Sequence, residues 1–335
     1  MLCAVEKFNA EDAGQGVECR LLDEQSLRGI SPGLVRLCAL YQKADTLALR
    51  NRDRYMGIVR ILSIFGVGLV VAFLMYDEMN ALLFLLAYGV ILTLAFVCFA
   101  LSRKGAYHEK YLEYRVLAET LRVQFYLLAS GVNYDVSHSF TWSHKMEVGW
   151  VARSLSVLLV SVEAQELDAA KVRYAWVDSQ LIYHQDRQKI VAVKNRLNTG
   201  ITVCALVFSV ALFVAVLILE LGIQDTLSTA FSAQNVRGVL MMRVGEVSLR
   251  DISKILMGAA SAVTMFLANY YGKLSLERKQ VDHEKMAELY AVAGQKLDEP
   301  GADRKAVMLR LAKEEVAENG VWLSYCRGNA PVVNL

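Results

Sequence analysis

Proline is scarce, at three in 335 residues, and none of the six cysteines belongs to a CxxC pair. So little proline leaves few forced helix breaks and favours long helices. Cys3, Cys19, Cys38, Cys98, Cys204 and Cys326 are scattered, so neither a disulfide framework nor a zinc site is expected. The net charge of +2 is too small to argue for nucleic acid. The phosphate-binding GxxxxGKS/T, GxSxG, HExxH and GxGxxG patterns are missing, and the five histidines do not stand at ligand spacing with carboxylates or thiols. No enzymatic activity, cofactor or metal is therefore expected. Met1 to Arg28 is polar and mixed in charge, without the apolar core of a signal peptide.

What the chain does have is long apolar runs. Hydrophobic residues make up 55% of it, and the mean hydropathy is +0.33. Gly57 to Tyr76 and Ala81 to Leu101 are each long enough to cross the ~30 Å of a hydrocarbon core as a helix. Only Asp77-Glu78-Met79-Asn80 separates them, which predicts a transmembrane hairpin. A third run, Gly200 to Leu219, ends at Glu220. The fourth, Ile252 to Leu274, is the weakest, with Lys254 near its start, Asn269 near its end and the small residues Gly258 to Ala262 at its centre. Small residues in a span mark close packing on other helices. Ser261, Thr264 and Asn269 form a loosely polar side that, with Glu220, makes the candidate pore-facing set; hydrogen bonding between helices is the plainer alternative.

The predicted fold is an all-α membrane protein of two helical hairpins, hence four spans, with long cytoplasmic helices forming a bundle or stalk. Residues 1–33 read as irregular, or as the stub of a longer protein. A first helix-hairpin-helix unit follows at 34–131 and a connecting helical segment at 132–166. A second unit occupies 167–299, and a C-terminal helix and tail occupy 300–335. Tyr111, Tyr114, Ala118 and Leu121 fall at alternating steps of three and four on a helix from Tyr107 to about Ser130, the spacing of a packed seam. Tyr174, Val177 and Leu181 form the matching stripe on an unbroken helix starting at Glu166. Trp142 to Gln165 is expected to be one helix. Trp142, Trp150 and Trp176 are read as packing residues before an aromatic box.

The halves repeat: His108-Glu109-Lys110 and His283-Glu284-Lys285 each follow a hairpin, and both precede similar helices. A metal or proton-relay reading of this tripeptide is weaker than a shared packing contact. Lysines and arginines cluster before spans one and three and after spans two and four, which puts both termini in the cytoplasm.

Several stretches together resemble the SLATT family, the SMODS- and SLOG-associating two-transmembrane effector domains. They are Ala44-Asp45-Thr46-Leu47-Ala48, Arg52-Asp53-Arg54-Tyr55, Tyr107 to Arg115 (YHEKYLEYR), Leu117-Ala118-Glu119, and Trp176-Val177-Asp178 with Gln180, Tyr183 and His184. Ala317-Glu318-Asn319-Gly320 with Trp322 and Arg327 completes the set. The resemblance spans about Leu34 to Arg327, and none of its motifs is catalytic. It implies a homo-oligomeric effector of a bacterial conflict or antiviral system that forms a pore in, or perturbs, the inner membrane. Its partners would be the lipid bilayer and a nucleotide-sensing SLOG, TIR or related sensor, in the same chain or another. The chain departs from the family in having two hairpins and no recognisable sensor. A passive anchor or scaffold is the alternative role. A small transporter fits less well, because the spans contain no proline and no central acidic residue.

Overall fold

The computed structural model describes residues 2–14, 20–23, 29–79, 81–223, 243–244, 247–274 and 276–328, and within them all side chains except those of 2, 218–250 and 268–274. The helices are α1 (Leu2–Ala10), α2 (Pro32–Met79), α3 (Leu82–Gly105), α4 (Tyr107–Ala129), α5 (Trp142–Glu147) and α6 (Gly149–Leu159). They continue as α7 (Ala169–Arg173), α8 (Ser179–Ile223), α9 (Leu249–Leu274), α10 (Leu276–Asp298) and α11 (Arg304–Gly328). A 3-10 turn occupies Val136–Ser139 and a π-helical turn Tyr174–Asp178. Among the described residues the only extended pairing is the two-residue ladder of β1 (Arg243–Val244) with β2 (Val247–Ser248). The chain divides into two compact units, 1–55 with 106–191 and 277–335, and 56–105 with 192–276, so each draws on both halves of the sequence.

The first unit is built around α4. Fourteen of its 23 residues are buried, from Leu112 to Ala129, so the helix is enclosed on all sides from its middle onward. The expected seam residues Tyr114, Ala118 and Leu121 are buried in it and Tyr111 is partly buried. A helix apolar on one stripe packs on one neighbour, whereas one buried all round is a core helix. It ends in a Schellman cap: Gly131 takes φ +74°, its N–H reaches Leu128 O at 3.0 Å, and the Val132 N–H reaches Leu127 O at 3.1 Å. The same core cluster takes in Leu34, Leu37 and Leu47 of α2, Val151 and Leu155 of α6, Tyr290 of α10, and Leu311 and Leu323 of α11.

Several expectations fail here. Residues 1–33 are not wholly irregular, since α1 forms and buries Phe8. Trp142 to Gln165 is not one helix: Val148 leaves helical geometry, so α5, which opens on the Thr141–His144 capping box, ends at Glu147 and α6 starts at Gly149. The helix expected from Glu166 begins at Ala169, where the Asp168 side chain accepts from the Ala170 N–H, and it is interrupted by the π turn. In that turn hydrogen bonds run from i to i+5, so residues five apart stack. Val172, Trp176 and Val177 accordingly all face inward, while Tyr174, assigned to the seam by ordinary helical spacing, is 65% exposed. Cys38 is also disulfide-bonded, although no disulfide framework was expected.

The second unit has the opposite character. No residue of α3 is buried, and ten of its large apolar side chains are exposed, among them Leu82, Leu83, Leu86 and Phe96. Half-exposing such a side chain in water costs about 1 kcal/mol, so α3 alone would forfeit about 10 kcal/mol, as much as a whole domain's stability. Among the described residues, three segments, Pro32–Met79, Leu82–Ala129 and Ala169–Leu217, are long and apolar enough to cross a membrane. Within the unit, helix contacts are made over glycine. A Cβ on Gly66 would lie within 2.4 Å of the Phe266 ring, and one on Gly258 within 2.5 Å of Leu74 Cδ1. Lys254 of α9 meets Glu78 of α2 at 3.1 Å.

Candidate functional site

The first unit encloses a chain of charged side chains that the sequence alone does not advertise. Arg115, Glu119 and Arg122 stand on α4 at i, i+4 and i+7, which brings them onto one face. Arg115 reaches Asp45 of α2 at 2.9 Å and also pairs with Glu119. Arg122 bridges Glu119 at 2.8 Å and Glu315 of α11 at 3.1 Å. The other Glu315 oxygen accepts the Trp176 indole N–H at 2.7 Å. The Trp176 ring in turn stacks on Tyr126 at 5.4 Å between centroids. The π turn positions this indole and offers the Ala175 carbonyl to both Tyr126 Oη (3.1 Å) and Ser179 Oγ (2.5 Å). One network thus ties α2, α4, the π turn and α11.

Burial sets its electrostatics. Desolvation pushes the Glu315 carboxyl up to about 7, although Arg122, Tyr290 and Trp176 all favour the charged form. At Glu119 burial also acts upward, but the guanidinium groups of Arg115 and Arg122 together hold it below the usual carboxylate range. Tyr290 is buried beside Glu315, and its hydroxyl makes no hydrogen bond of good geometry.

The network borders a cavity of ≈ 190 Å³, whose lining includes Arg115, Glu119, Arg122, His184, His283 and Trp322. Across it His184 Nδ1 of α8 meets His283 Nδ1 of α10 at 3.0 Å. Burial, then the neighbouring His283, pushes His184 down to about 4; burial and Arg187 lower His283 as well. Two neutral imidazoles, one donating and one accepting, satisfy this contact.

A second polar cluster adjoins α11. His144, fully buried, stacks on Phe140, closes a capping box with Thr141 and places Nε2 at 3.0 Å from Asn319 Oδ1. The next residue, Gly320, leaves no room for a Cβ, which would lie 2.2 Å from Thr141 Oγ1.

The repeated tripeptides do not form a common centre. His108 packs on Tyr55 at 4.6 Å, Lys110 pairs with Glu11 at 2.6 Å, and Glu109 is exposed. His283 lines the cavity while Glu284 and Lys285 are exposed. No group of three or more metal-binding side chains occurs among the described residues. Of the seam, Val177 is buried and Leu181 packs partly buried against the core. Trp142 is exposed, Trp150 half-buried and Trp176 enclosed, so the three make no box.

Of the pore-facing set, Thr264 Oγ1 lies 3.2 Å from Ser209 Oγ and donates to Ala260 O, and the exposed Ser261 bonds back to Met257 O. The Glu220 and Asn269 side chains lie outside the described residues. The sequence reading missed Arg122, Glu315 and Tyr290. The i, i+4, i+7 charge spacing on a core helix was the available signal for the first, and nothing local marks the others.

The fold and site define a class: an all-α protein in which a polar-cored helical unit accompanies helices apolar enough for a bilayer. No family model, curated protein or solved structure matches the chain.

Proposed function

We propose that the chain is a SLATT-type membrane effector of a bacterial conflict or antiviral system, acting as a homo-oligomer in the inner membrane with both termini cytoplasmic. In this reading a nucleotide-type signal, or a SLOG, TIR or related sensor, acts on the cytoplasmic helical bundle. The spans then rearrange to open a conducting path or otherwise perturb the membrane.

The observation that carries it is convergence. Asp45, Arg115, Glu119, Trp176 and His184, from four separate stretches of the family-like pattern, meet in one buried network and the cavity beside it. Two of the helices involved, α2 and α8, run unbroken for 48 and 45 residues and include apolar segments of spanning length. A displacement at such a network has stiff elements to act through. A fourth span in α9 is supported by Gly258, which allows tight packing, and by Glu78, which supplies an ion partner for Lys254.

The alternative of a passive anchor draws on the Thr264–Ser209 contact, which uses the polar side of α9 for a bond between helices and not for a water path. Expression in bacteria with a potential-sensitive dye separates the two. Triggered depolarisation that Leu181→Asp abolishes, with the variant still inserted in the membrane, supports the effector. Silence with every candidate sensor co-expressed supports the anchor.

A further inference from the structure

We propose that the cavity walled by α1, α2, α4 and α6 binds a single acyl chain bearing a carboxylate, a ligand of the free fatty acid type. The cavity measures ≈ 290 Å³, at the lower edge of small-molecule sites. Its wall is apolar: Val5 and Phe8 from α1, Leu40 from α2, Leu117 and Leu121 from α4, and Trp150, Leu155 and Leu158 from α6. These elements belong to one compact unit, so the pocket is intrinsic to it.

Its polar lining is confined to a few groups, among them Arg36, Asn9, Ser154 and Ser161. Arg36 is exposed and, unlike Arg115, Arg122 and Arg173, has no carboxylate partner among the described residues. An apolar slot edged by such a guanidinium complements a ligand with a long aliphatic body and one anionic end, and guanidinium–carboxylate pairing is the strong form of that contact. A chain whose helices suit a bilayer meets acyl amphiphiles at high local concentration. The ligand class follows from this cavity and does not depend on the effector reading.

Trp150 in the wall supplies the readout. The full chain in phosphatidylcholine nanodiscs is titrated with undecanoate carrying a terminal bromine, which quenches tryptophan on contact. Saturable quenching is expected that disappears in Trp150→Phe, and Arg36→Gln should weaken it about tenfold while leaving the weaker binding of the bromine-tagged undecanol unchanged. Absence of a saturable component dependent on Trp150 overturns the site. Equal loss of acid and alcohol binding in Arg36→Gln, or no loss of either, overturns the carboxylate assignment. A third arm uses nanodiscs of chain-brominated phosphatidylcholine without the acid. Trp150 quenching there that added undecanoate does not displace would mean a bilayer lipid occupies the pocket, and would also overturn the proposal.

Discussion

Replacing Arg122 with methionine isolates what the buried network contributes. Arg122 Nη2 lies between Glu119 at 2.8 Å and Glu315 at 3.1 Å, and Glu119 keeps Arg115 as a partner when Arg122 is lost. The damage therefore falls on Glu315, which is left with the Trp176 N–H and the neighbouring Tyr290 in a site with almost no solvent access. Removing one partner of a buried pair costs about 3–5 kcal/mol, mostly because the remaining charge is uncompensated. For a unit of this size that is a fall in Tm of roughly 6–20 °C. The loss should be pH-dependent. At pH 5 Glu315 is already largely protonated, because burial holds it near 7, and a neutral acid leaves no unpaired charge. At pH 8 the deficit should be largest, and Glu315→Gln added to Arg122→Met should recover at least half of it. Thermal unfolding in nanodiscs, followed by tryptophan fluorescence at both pH values, is the assay. A Tm change under about 2 °C, an equal loss at pH 5 and pH 8, or simple additivity of the two substitutions would refute the reasoning.

Three further outcomes are expected. Glu315→Gln alone should remove a decline in stability with rising pH. The folded-state value of about 7 lies above the ordinary 4.5, so the native state binds more protons across that window, and up to about 3 kcal/mol is lost as pH rises through it; Tm measured from pH 4.5 to 7.5 in both proteins checks this against the opposite slope from His184. Ala106→Gly should stabilise by about 1 kcal/mol, since Ala106 holds φ 48°, ψ 37° in the left-handed region before α4; an unchanged or lowered Tm would show the strain to be absent. Gly258→Ala should destabilise by about 1–3 kcal/mol through its clash with Leu74, and Leu74→Ala in the same chain should relieve part of that loss.

The legible part of the fold is the part governed by local rules. The apolar runs, the length of α4 and its Gly131 stop follow from composition and the left-handed cap, and the small residues around Gly258 correctly mark a tight helix contact. What failed did so for identifiable reasons. An i, i+3, i+4 stripe assumes constant helical phase, and the π turn at Tyr174–Asp178 shifts that phase within five residues, sending Tyr174 outward and bringing Trp176 in. The sequence predicts packing for this tryptophan, and it does pack on Tyr126, but its N–H also satisfies a carboxylate 139 residues away. Such partners cannot be read from spacing, because only the tertiary arrangement brings Glu315 to Arg122.

The same network bears on how the helical unit would respond to a signal. An apolar bundle can slide by small increments, since dispersion contacts vary smoothly with distance. Arg115–Asp45, Arg122–Glu315 and Trp176–Glu315 instead require particular rotations of α2, α4, the π turn and α11, because each bond weakens steeply once its geometry is lost. Shifting one helix while the others stay would strand a buried charge, at the several kcal/mol that such a group demands. The arrangement therefore favours discrete states over gradual deformation. The His184–His283 contact adds a bond between α8 and α10 that double protonation would forbid, placing a titratable contact beside the network at the point where those two helices meet.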